Sequence, residues 1–443
     1  MFTNSYFAHW PSRALLAWLL TAVVAFAILL PTPARAQTET VLFSFIYPTF
    51  TTTGCPPDSY NAGPYAGLLF YKGHLFGTTP EGGVGEKGVP GTNDGQAFRL
   101  TMPKSGKPPW YKKLLHSFID DPANSAGGLI PCSRLIEKNN VFYGSTLSGG
   151  QFGFGTVFSL TPPPEGQSAW AETVLYSFTG GNDGGFPFGG LVMDQNGALY
   201  GAGYLSFYSN GGEVFQLICS STACSENTLL ANGNGVIYNG DLLLDPNTGS
   251  LFGTASDGGP NRQTGYGNVF QLTPQGDGWT YYDLYDFTGG ADGAYPNGGL
   301  SGYPPTDIFG TTQGGITGTG DGVLFELREN TAGGPYTLYE QHTFTGSPDG
   351  AAPTAGLYLD GSGTFWGTTS SGGADNLGTV FKLYPDRYKI HVWYYDEVYS
   401  FAGGLNDGAT PESALTGDSN GNLYGTTNQG GSEDEGTVFE LTP

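Results

Sequence analysis

Short runs of alternating apolar and polar residues recur along the chain, separated by turn residues. The clearest run reads L-[YF]-G-T-T, and a second run, G-T-V-F-x-L, follows it after a glycine-rich gap. Two further runs, L-Y-S-F and G-L-x-x-D, complete each repeat. Short runs with this alternation, bounded by glycine, predict β-strands rather than helices. The pattern therefore predicts an all-β fold whose repeat holds about four strands.

The repeat occurs seven times, and one central glycine marks its period. Neighbouring central glycines are 52 to 67 residues apart; they are Gly77, Gly144, Gly201, Gly253, Gly310, Gly367 and Gly425. A recurring unit of about four strands is typical of a β-propeller blade. We therefore predict a seven-bladed β-propeller of four-stranded antiparallel blades. The blades are expected at about residues 65–118, 127–179, 189–231, 240–287, 298–344, 354–401, and 413–443 plus 40–46.

The turn in D-x-x-G-x-L-[YF]-G indicates the order of the strands within a blade. It joins two consecutive strands through a glycine that needs a positive φ angle. We place this hairpin at the inner end of the blade and L-Y-S-F at the outer edge. The run at 40–46 then pairs into the last blade, which joins the chain ends and covers an open edge. The alternative order makes L-Y-S-F the innermost strand and needs no such closure.

The first 36 residues have the features of an export signal. Arg13 precedes an apolar run over residues 14–30, and Ala34 and Ala36 supply the small residues of a cleavage site. We expect residues 1–36 to be a signal peptide and residues 37–443 to be a secreted or cell-surface protein without a membrane span. The alternative is an uncleaved membrane anchor, because a run of 17 apolar residues is at the short end of a span.

The net negative charge of the chain limits the kinds of partner that it is expected to bind. Without residues 1–36 the chain keeps 14 basic and 39 acidic residues. Such an excess of negative charge makes nucleic acid and anionic membranes poor partners. We expect a monomer that binds an extracellular glycan or a surface protein.

The four cysteines of an exported chain predict disulfides rather than a metal site. Of the three possible connectivities we favour Cys219 with Cys224, which are close in sequence. By elimination Cys55 pairs with Cys132, and this bridge would join loops at the same repeat position in successive units.

The motifs G-L-x-x-D-x-x-G-N-L-Y-G-T-T, x-x-G-G, G-T-V-F-x-L-T-P and Y-S-F-x-G-G-x-D-G together resemble the GloVer tandem repeat of bacterial "choice-of-anchor" surface proteins. The resemblance covers essentially the whole mature chain. It implies a bacterial secreted or surface location. It implies no activity, because the family has none established.

One face of the predicted propeller collects a recurring aspartate. Strand parity places the linkers between blades and the T-T-x-x-G-G gaps on one face, opposite the D-x-x-G turns. The linker motif G-x-x-D-G-x-x-P supplies the candidate ligand-binding residues Asp183, Asp292, Asp349 and Asp407. Such a ring could bind a polyhydroxy ligand or calcium, although calcium needs six to eight oxygen ligands. Alternatively, each aspartate caps its own turn by accepting backbone N–H bonds.

Two further features concern the possible ligand surface. Loop aromatics could form platforms for sugar rings; the candidates are Trp110, Tyr208, Trp279 and Trp393. The third repeat departs from the pattern, because Ala202 and Gly203 replace the Thr-Thr pair.

The sequence contains no recognisable catalytic motif. The histidines of the mature chain occupy unrelated repeat positions, and no nucleophile elbow, P-loop or dinucleotide fingerprint stands out. We therefore predict a binding module without a cofactor rather than an enzyme. A carbohydrate-active hydrolase or lyase on the Asp- and Gly-rich face is the first alternative, and a structural envelope protein is the second. Non-repeating carboxylates in one central pocket would favour the enzyme.

Overall fold

The computed structural model describes residues 38–46, 64–82, 95–119, 127–203, 212–219, 224–231, 240–257, 265–315 and 320–442. Their strands form seven four-stranded antiparallel sheets, which are arranged in a ring as a β-propeller. The predicted fold class is therefore confirmed. No helix in the described part of the chain is long and apolar enough to cross a membrane.

Each blade is built in the same order, from an inner strand to an outer strand. In blades 1 to 4 the strands are Leu69–Tyr71, His74–Thr79, Gln96–Thr101 and Tyr111–Ser117; Ile136–Lys138, Val141–Thr146, Thr156–Thr161 and Ala171–Ser177; Val192–Met193, Leu199–Gly203, Glu213–Cys219 and Cys224–Ala231; and Leu243–Leu244, Leu251–Ala255, Asn268–Gln275 and Gly278–Asp286. In blades 5 to 7 they are Ser301–Tyr303, Asp307–Thr312, Val323–Glu329 and Tyr336–Thr343; Tyr358–Leu359, Phe365–Thr369, Thr379–Pro385 and Trp393–Ser400; and Thr416–Gly417, Leu423–Thr427, Thr437–Thr442 and Thr38–Ser44. Short ladders join linkers to gaps; they are Gly128–Leu129 with Ser148–Gly149, Gly350–Ala351 with Ser371–Gly372, and Gly408–Ala409 with Gln429–Gly430.

The N-terminal strand closes the ring. Thr38–Ser44 pairs with Thr437–Thr442 at the outer edge of blade 7, as the turn motif predicted. Leu42 and Phe45 are each 1% exposed, and they pack in one core with Leu75 of blade 1. The closing strand is therefore held by both hydrogen bonds and apolar burial.

An apolar core fills each interface between neighbouring blades. Seven clusters of buried residues each draw their members from two adjacent blades. The central glycine of the repeat makes this packing possible. A Cβ atom on Gly144 would lie 2.7 Å from the ring of Phe158 and 2.9 Å from Leu135. The glycine recurs because a phenylalanine ring occupies the space that its side chain would need.

The Thr-Thr pair serves the scaffold. Thr368 Oγ1 donates to the Ser413 carbonyl of the next blade at 3.3 Å. The Oγ1 atoms of Thr369 and Thr379 lie 2.8 Å apart within blade 6. All three threonines are buried, so hydrogen bonding between and within blades accounts for the repeated pair.

Cys219 and Cys224 form the predicted disulfide across the outer hairpin of blade 3. Cys132 is also disulfide-bonded. Its predicted partner, Cys55, lies outside the described residues, as does the predicted signal peptide at residues 1–36.

Candidate functional site

The predicted ligand-binding aspartates lie in the linkers and accept hydrogen bonds within their own turns. Asp183 Oδ2 accepts the Tyr176 hydroxyl and the Thr179 N–H, both at 2.9 Å. Asp292 and Asp407 accept the equivalent bonds, and these three aspartates are each 8% exposed. The contacts match the turn-capping alternative. Ligand binding by these residues remains a prediction.

Asp349 makes a wider set of contacts. Its Oδ2 lies 2.9 Å from His342 Nε2 and accepts the Thr345 N–H at 3.1 Å. Its Oδ1 accepts the Tyr395 hydroxyl at 3.0 Å, and the Tyr395 and His342 rings stack with centroids 3.5 Å apart. Because Tyr395 belongs to blade 6, this carboxylate links blades 5 and 6.

A cavity opens at the centre of the face that carries the linkers, and we call it the mouth. Its volume is about 350 Å³, and each blade contributes residues that precede its inner strand, namely 65–67, 132–134, 188–190, 240–241, 297–299, 354–356 and 412–414. Because all blades contribute, the mouth lies on the axis of the ring. A second cavity of about 590 Å³ shares part of this lining and continues between the inner strands.

Two charged residues break the repeat at the mouth. The position directly before the leucine of the G-L-x-x-D run is glycine or alanine in five blades, but it is Arg134 in blade 2 and Asp241 in blade 4. Arg134 Nη2 lies 3.4 Å from Asp241 Oδ2, and the two side chains are 37% and 34% exposed. The ion pair therefore bridges blade 3, which has Gly190 at this position.

The small residues of the neighbouring blades make room for Asp241. A Cβ atom on Gly190 would lie 2.6 Å from Asp241 Oδ1, and one on Gly299 would lie 2.9 Å from the Asp241 Cβ atom. The Gly190 N–H also donates to Asp241 Oδ1 at 2.5 Å. The carboxylate is thus oriented by a backbone donor on one side and by Arg134 on the other.

A second layer of unlike groups lines the mouth two residues earlier in each linker. Its members include Tyr65, Phe188, Asn297, Thr354 and Glu412. The rings of Tyr65 and Phe188 contact each other with centroids 5.5 Å apart. Thr354 Oγ1 is buried and has no hydrogen-bond partner. The mouth therefore combines aromatic, amide, hydroxyl and carboxyl groups.

Glu412 is the mostly buried carboxyl group of this layer. Burial raises its pKa from 4.5 to about 7, and the hydrogen bond from Asn428 opposes the shift. The Asn428 amide donates to Glu412 Oε2 at 2.5 Å. Glu412 therefore exchanges its proton near neutral pH, whereas the Asp241 carboxylate is paired with a guanidinium.

The predicted aromatic platforms are not open surfaces. Trp110 is 3% exposed, and Trp279 and Trp393 pack against the cores between blades. Tyr208 lies outside the described residues. The tryptophans therefore stabilise the blades, and the aromatic pair at the mouth is formed by other residues.

One group of potential metal ligands occurs in the described part of the chain. His391 Nδ1 lies 3.6 Å from Asp307 Oδ1 and 3.7 Å from Glu326 Oε1. Arg328 Nη2 is only 2.7 Å from the same Glu326 oxygen. Burial raises the pKa of Glu326, and Arg328 opposes this shift. Because the arginine already supplies positive charge, we assign these residues to an ion-pair network.

Sequence analysis did not nominate Arg134, Asp241 or Glu412. A signal for Arg134 and Asp241 was present, because the other five blades have glycine or alanine at that position, whereas the position of Glu412 varies among the blades. The sequence does not show, however, that Arg134 and Asp241 meet across blade 3.

Comparison with known proteins identifies the repeat. The sequence profile of the Gloeobacter/Verrucomicrobia repeat matches residues 63–320 and 306–443. No curated protein matches the chain significantly.

Several solved structures resemble the chain at low identity. A protein of unknown function from Dyadobacter fermentans DSM 18053 is 12% identical, covers 93% of this chain and 99% of that chain, and has a TM-score of 0.43. A hypothetical selenium-binding protein from Sulfolobus tokodaii is 10% identical, with coverage of 70% and 75% and a TM-score of 0.45. Trypanosoma rangeli sialidase in complex with sialic acid is 10% identical, with coverage of 92% and 59% and a TM-score of 0.40. At these values the likenesses carry no argument about function.

Proposed function

Because the chain belongs to the Gloeobacter/Verrucomicrobia repeat family, we propose that its repeats build a binding module and that the mouth is the ligand site. The ligand is an extracellular polysaccharide or a segment of a surface protein. The protein acts outside the cell, either secreted or attached to the surface. The export signal expected at residues 1–36 and the resemblance to surface proteins support this location.

The pairing of Arg134 with Asp241 carries the proposal. Residues that recur in every blade are explained by the ring, because each blade needs the same packing and the same turns. The Arg134–Asp241 pair recurs in no other blade and lies in the axial cavity. Its side chains remain about one-third exposed. An ion pair that is one-third exposed contributes little to stability, and we infer that this pair contacts the ligand.

The chemistry of the mouth suits a polyhydroxy ligand. Carboxylate and guanidinium groups offer acceptors and donors side by side, which can bind neighbouring hydroxyl groups of a sugar. Tyr65 and Phe188 add an apolar wall, and Thr354 adds a buried hydroxyl without a partner. The volume of about 350 Å³ is within the range of small-ligand sites. A chain end or a short stretch of polysaccharide would fit these features.

A specific observation favours a second candidate, a carbohydrate-active hydrolase. Asp241 and Glu412 line the same mouth and have different surroundings. Glycosidases generally need one protonated carboxyl group as an acid and one ionised carboxylate. Burial raises the pKa of Glu412 to about 7, which suits the acid, and Asp241 is paired with a cation.

The first experiment measures binding of the chain from residue 37 to a broad glycan array, with and without calcium. The test variant carries Arg134→Ala and Asp241→Ala together, so that neither charge is left without its partner. The control variant carries Lys382→Ala and Asp396→Ala, which removes an ion pair of similar length, 3.3 Å, from the outer strands of blade 6. We expect saturable binding that the test variant weakens by about tenfold or more and the control leaves unchanged.

Other outcomes identify the alternatives. Equal binding by the native protein and the mouth variant would favour the recurring linker aspartates as the site instead of the mouth. Replacing Asp183, Asp292, Asp349 and Asp407 in turn would then test them. Shortened glycan products that disappear with Glu412→Gln would favour the hydrolase. No glycan signal at all would favour a protein partner or a structural envelope role.

A further inference from the structure

The face opposite the mouth carries a hairpin tip that combines cations with exposed apolar side chains. This blade 6 tip, residues 386–392, joins the two outer strands of its blade. Tyr388 is 93% exposed and Ile390 is 85% exposed, and the adjoining Arg387 and Lys389 are also exposed. A tip of this composition suits the boundary between lipid and water, where apolar side chains insert and cations meet headgroups.

Asp386 fixes the conformation of the blade 6 tip. Its Oδ1 accepts the N–H groups of Tyr388 at 2.8 Å and Lys389 at 2.9 Å, and its Oδ2 accepts the Tyr394 hydroxyl at 2.8 Å. These bonds, led by the one from Tyr388, hold the pKa of Asp386 below its usual range. The tip therefore presents its side chains in an ordered turn.

A second tip of the same character lies in blade 1, at residues 102–110. Lys104 and Lys107 are exposed, Met102 is 46% exposed, and Tyr111 directly after the tip is 67% exposed. The Trp110 N–H donates to the carbonyl of Leu42 in the closing strand at 2.8 Å. This tip is thus attached to the strand that completes blade 7.

The two tips form one sector, because blade 7 lies between blades 6 and 1. We call the two tips together the basic sector. The corresponding hairpins of blades 2, 4 and 5 contain no lysine or arginine; those of blades 2 and 4 carry Glu165 and Asp277, and that of blade 5 has no charged residue. The cationic tips are therefore a local feature of the ring and not a property of the repeat.

The aspartates of the inner turns in this sector are already engaged. Asp307 of blade 5 lies 3.6 Å from His391 of the blade 6 tip and 3.5 Å from Arg328. Asp360 accepts the Ser362 N–H at 2.8 Å, and Asp418 accepts the Asn420 N–H at 2.8 Å. They offset part of the positive charge but lie at the inner turns rather than at the outer tips. The exposed side chains of the blade 6 tip are those of Arg387, Tyr388, Lys389, Ile390 and His391.

The excess of acidic residues in the whole chain does not rule out an anionic partner here. A strand of six residues spans about 20 Å. At physiological salt the screening length is about 8 Å, so the acidic linkers on the far face contribute little at the tips. Local charge, rather than net charge, determines contact with a flat anionic surface.

We propose that the basic sector docks on an anionic phospholipid surface, with the cations of the tips on the headgroups and Tyr388 and Ile390 in the interface. The chain enters blade 7 in this sector at Thr38, downstream of the apolar run at residues 14–30. Docking in this orientation turns the mouth away from the lipid and toward solvent. The proposal does not depend on the ligand of the mouth.

The experiment uses the chain from residue 37, because residues 39–442 form one compact unit that contains all seven blades. Sedimentation with phosphatidylcholine vesicles, with and without phosphatidylglycerol, measures binding at low and high salt. The charge variant is Arg387→Gln with Lys389→Gln, and the apolar variant is Tyr388→Ser with Ile390→Ser. The control is Phe152→Ser with Leu405→Ser, which removes exposed apolar side chains from the opposite face.

We expect binding only to vesicles that contain phosphatidylglycerol, and loss of binding at high salt. Each cation at an anionic surface contributes about a factor of five, so the charge variant should bind about 30-fold more weakly. The apolar variant should also bind more weakly, and the control should bind like the native protein. Melting curves of all variants would confirm that they are folded.

Three results would overturn the proposal. The first is an absence of binding to the anionic vesicles. The second is native-like binding by both tip variants. The third is an association of the protein with itself, without lipid, that the tip variants abolish, since a second copy of the chain would then be the partner.

Discussion

The carboxylate of Glu213 fills the space of a missing side chain at Gly203, where a Cβ atom would lie 2.0 Å from Glu213 Oε1. In blade 6 the same two positions are Thr379 and Thr369, whose hydroxyl oxygens are 2.8 Å apart. Blade 3 has therefore exchanged both residues of a buried pair. Each new residue fits because the other one is present.

This exchange predicts strong coupling between the two positions. Gly203→Thr alone should cost about 1–3 kcal/mol, because the new side chain meets the Glu213 carboxylate. Adding Glu213→Thr should recover part of that loss, because it removes the clashing carboxylate, although a Cβ atom at position 203 would still lie 2.7 Å from the Gly185 carbonyl oxygen. Urea unfolding of the two single variants, the double variant and the native protein measures the coupling. Additive effects would contradict the prediction.

The closing strand should make stability depend on pH. Burial, and to a smaller extent the charge of Asp407, raises the pKa of Glu39 from 4.5 to about 8. The folded state holds this proton more tightly, so its contribution is complete below pH 4.5 and is lost as the pH rises to about 8. Glu39→Gln should flatten the decline in unfolding free energy across this window. Glu165→Gln, in an exposed hairpin, is the control, and equal flattening by both would count against the account.

The central glycine should not tolerate a methyl group. A Cβ atom on Gly367 would lie 2.4 Å from the Phe381 ring and 2.8 Å from Leu357. Gly367→Ala should therefore lower the unfolding free energy by about 1–3 kcal/mol. Gly361→Ala in the same blade is the matched control, because a Cβ atom there meets nothing within 4 Å. Thermal melting distinguishes the two, and equal melting temperatures would refute the packing argument.

The disulfide of blade 3 should act locally. Its cysteines are only 5 residues apart, so the bridge removes little freedom from the unfolded chain. The double variant Cys219→Ser with Cys224→Ser should lose at most about 2 kcal/mol. Hydrogen exchange should rise in blade 3 and remain unchanged in blades 5 and 6, since each blade contacts only its neighbours. Faster exchange throughout the ring would show that the bridge has a wider role.

The fold could be predicted because its requirements recur in the sequence. Every blade needs a glycine like Gly144 so that a ring like Phe158 can pack. Inner hairpins also need residues with positive φ, such as Gly363 in blade 6 or Asn139 in blade 2. These demands repeat with a period that is visible without any structure. The outer position of the closing strand followed from the same turn motif.

The mouth could not be predicted in the same way, because its residues do not repeat. Asp183 and its equivalents drew attention through their recurrence, and the structure shows them engaged in their own turns. Arg134 and Asp241 lie in different blades, and their 3.4 Å contact depends on how the blades are arranged around the axis. Departures from a repeat are visible in the sequence, but the distance between two departures is not.

The pairing of Thr38–Ser44 with Thr437–Thr442 has a consequence for the order of folding. The other six blades separate these two strands along the chain, so the closing strand is synthesised long before its partner. Leu42 and Phe45 can contact the blade 1 part of their core early, but Tyr424 and Val438 of blade 7 complete that core only later. Contacts between residues so far apart in sequence form slowly. Until they form, the unpaired strand can pair with strands of other chains. Ring closure is thus expected to be a late folding step, before which the open chain is prone to aggregation.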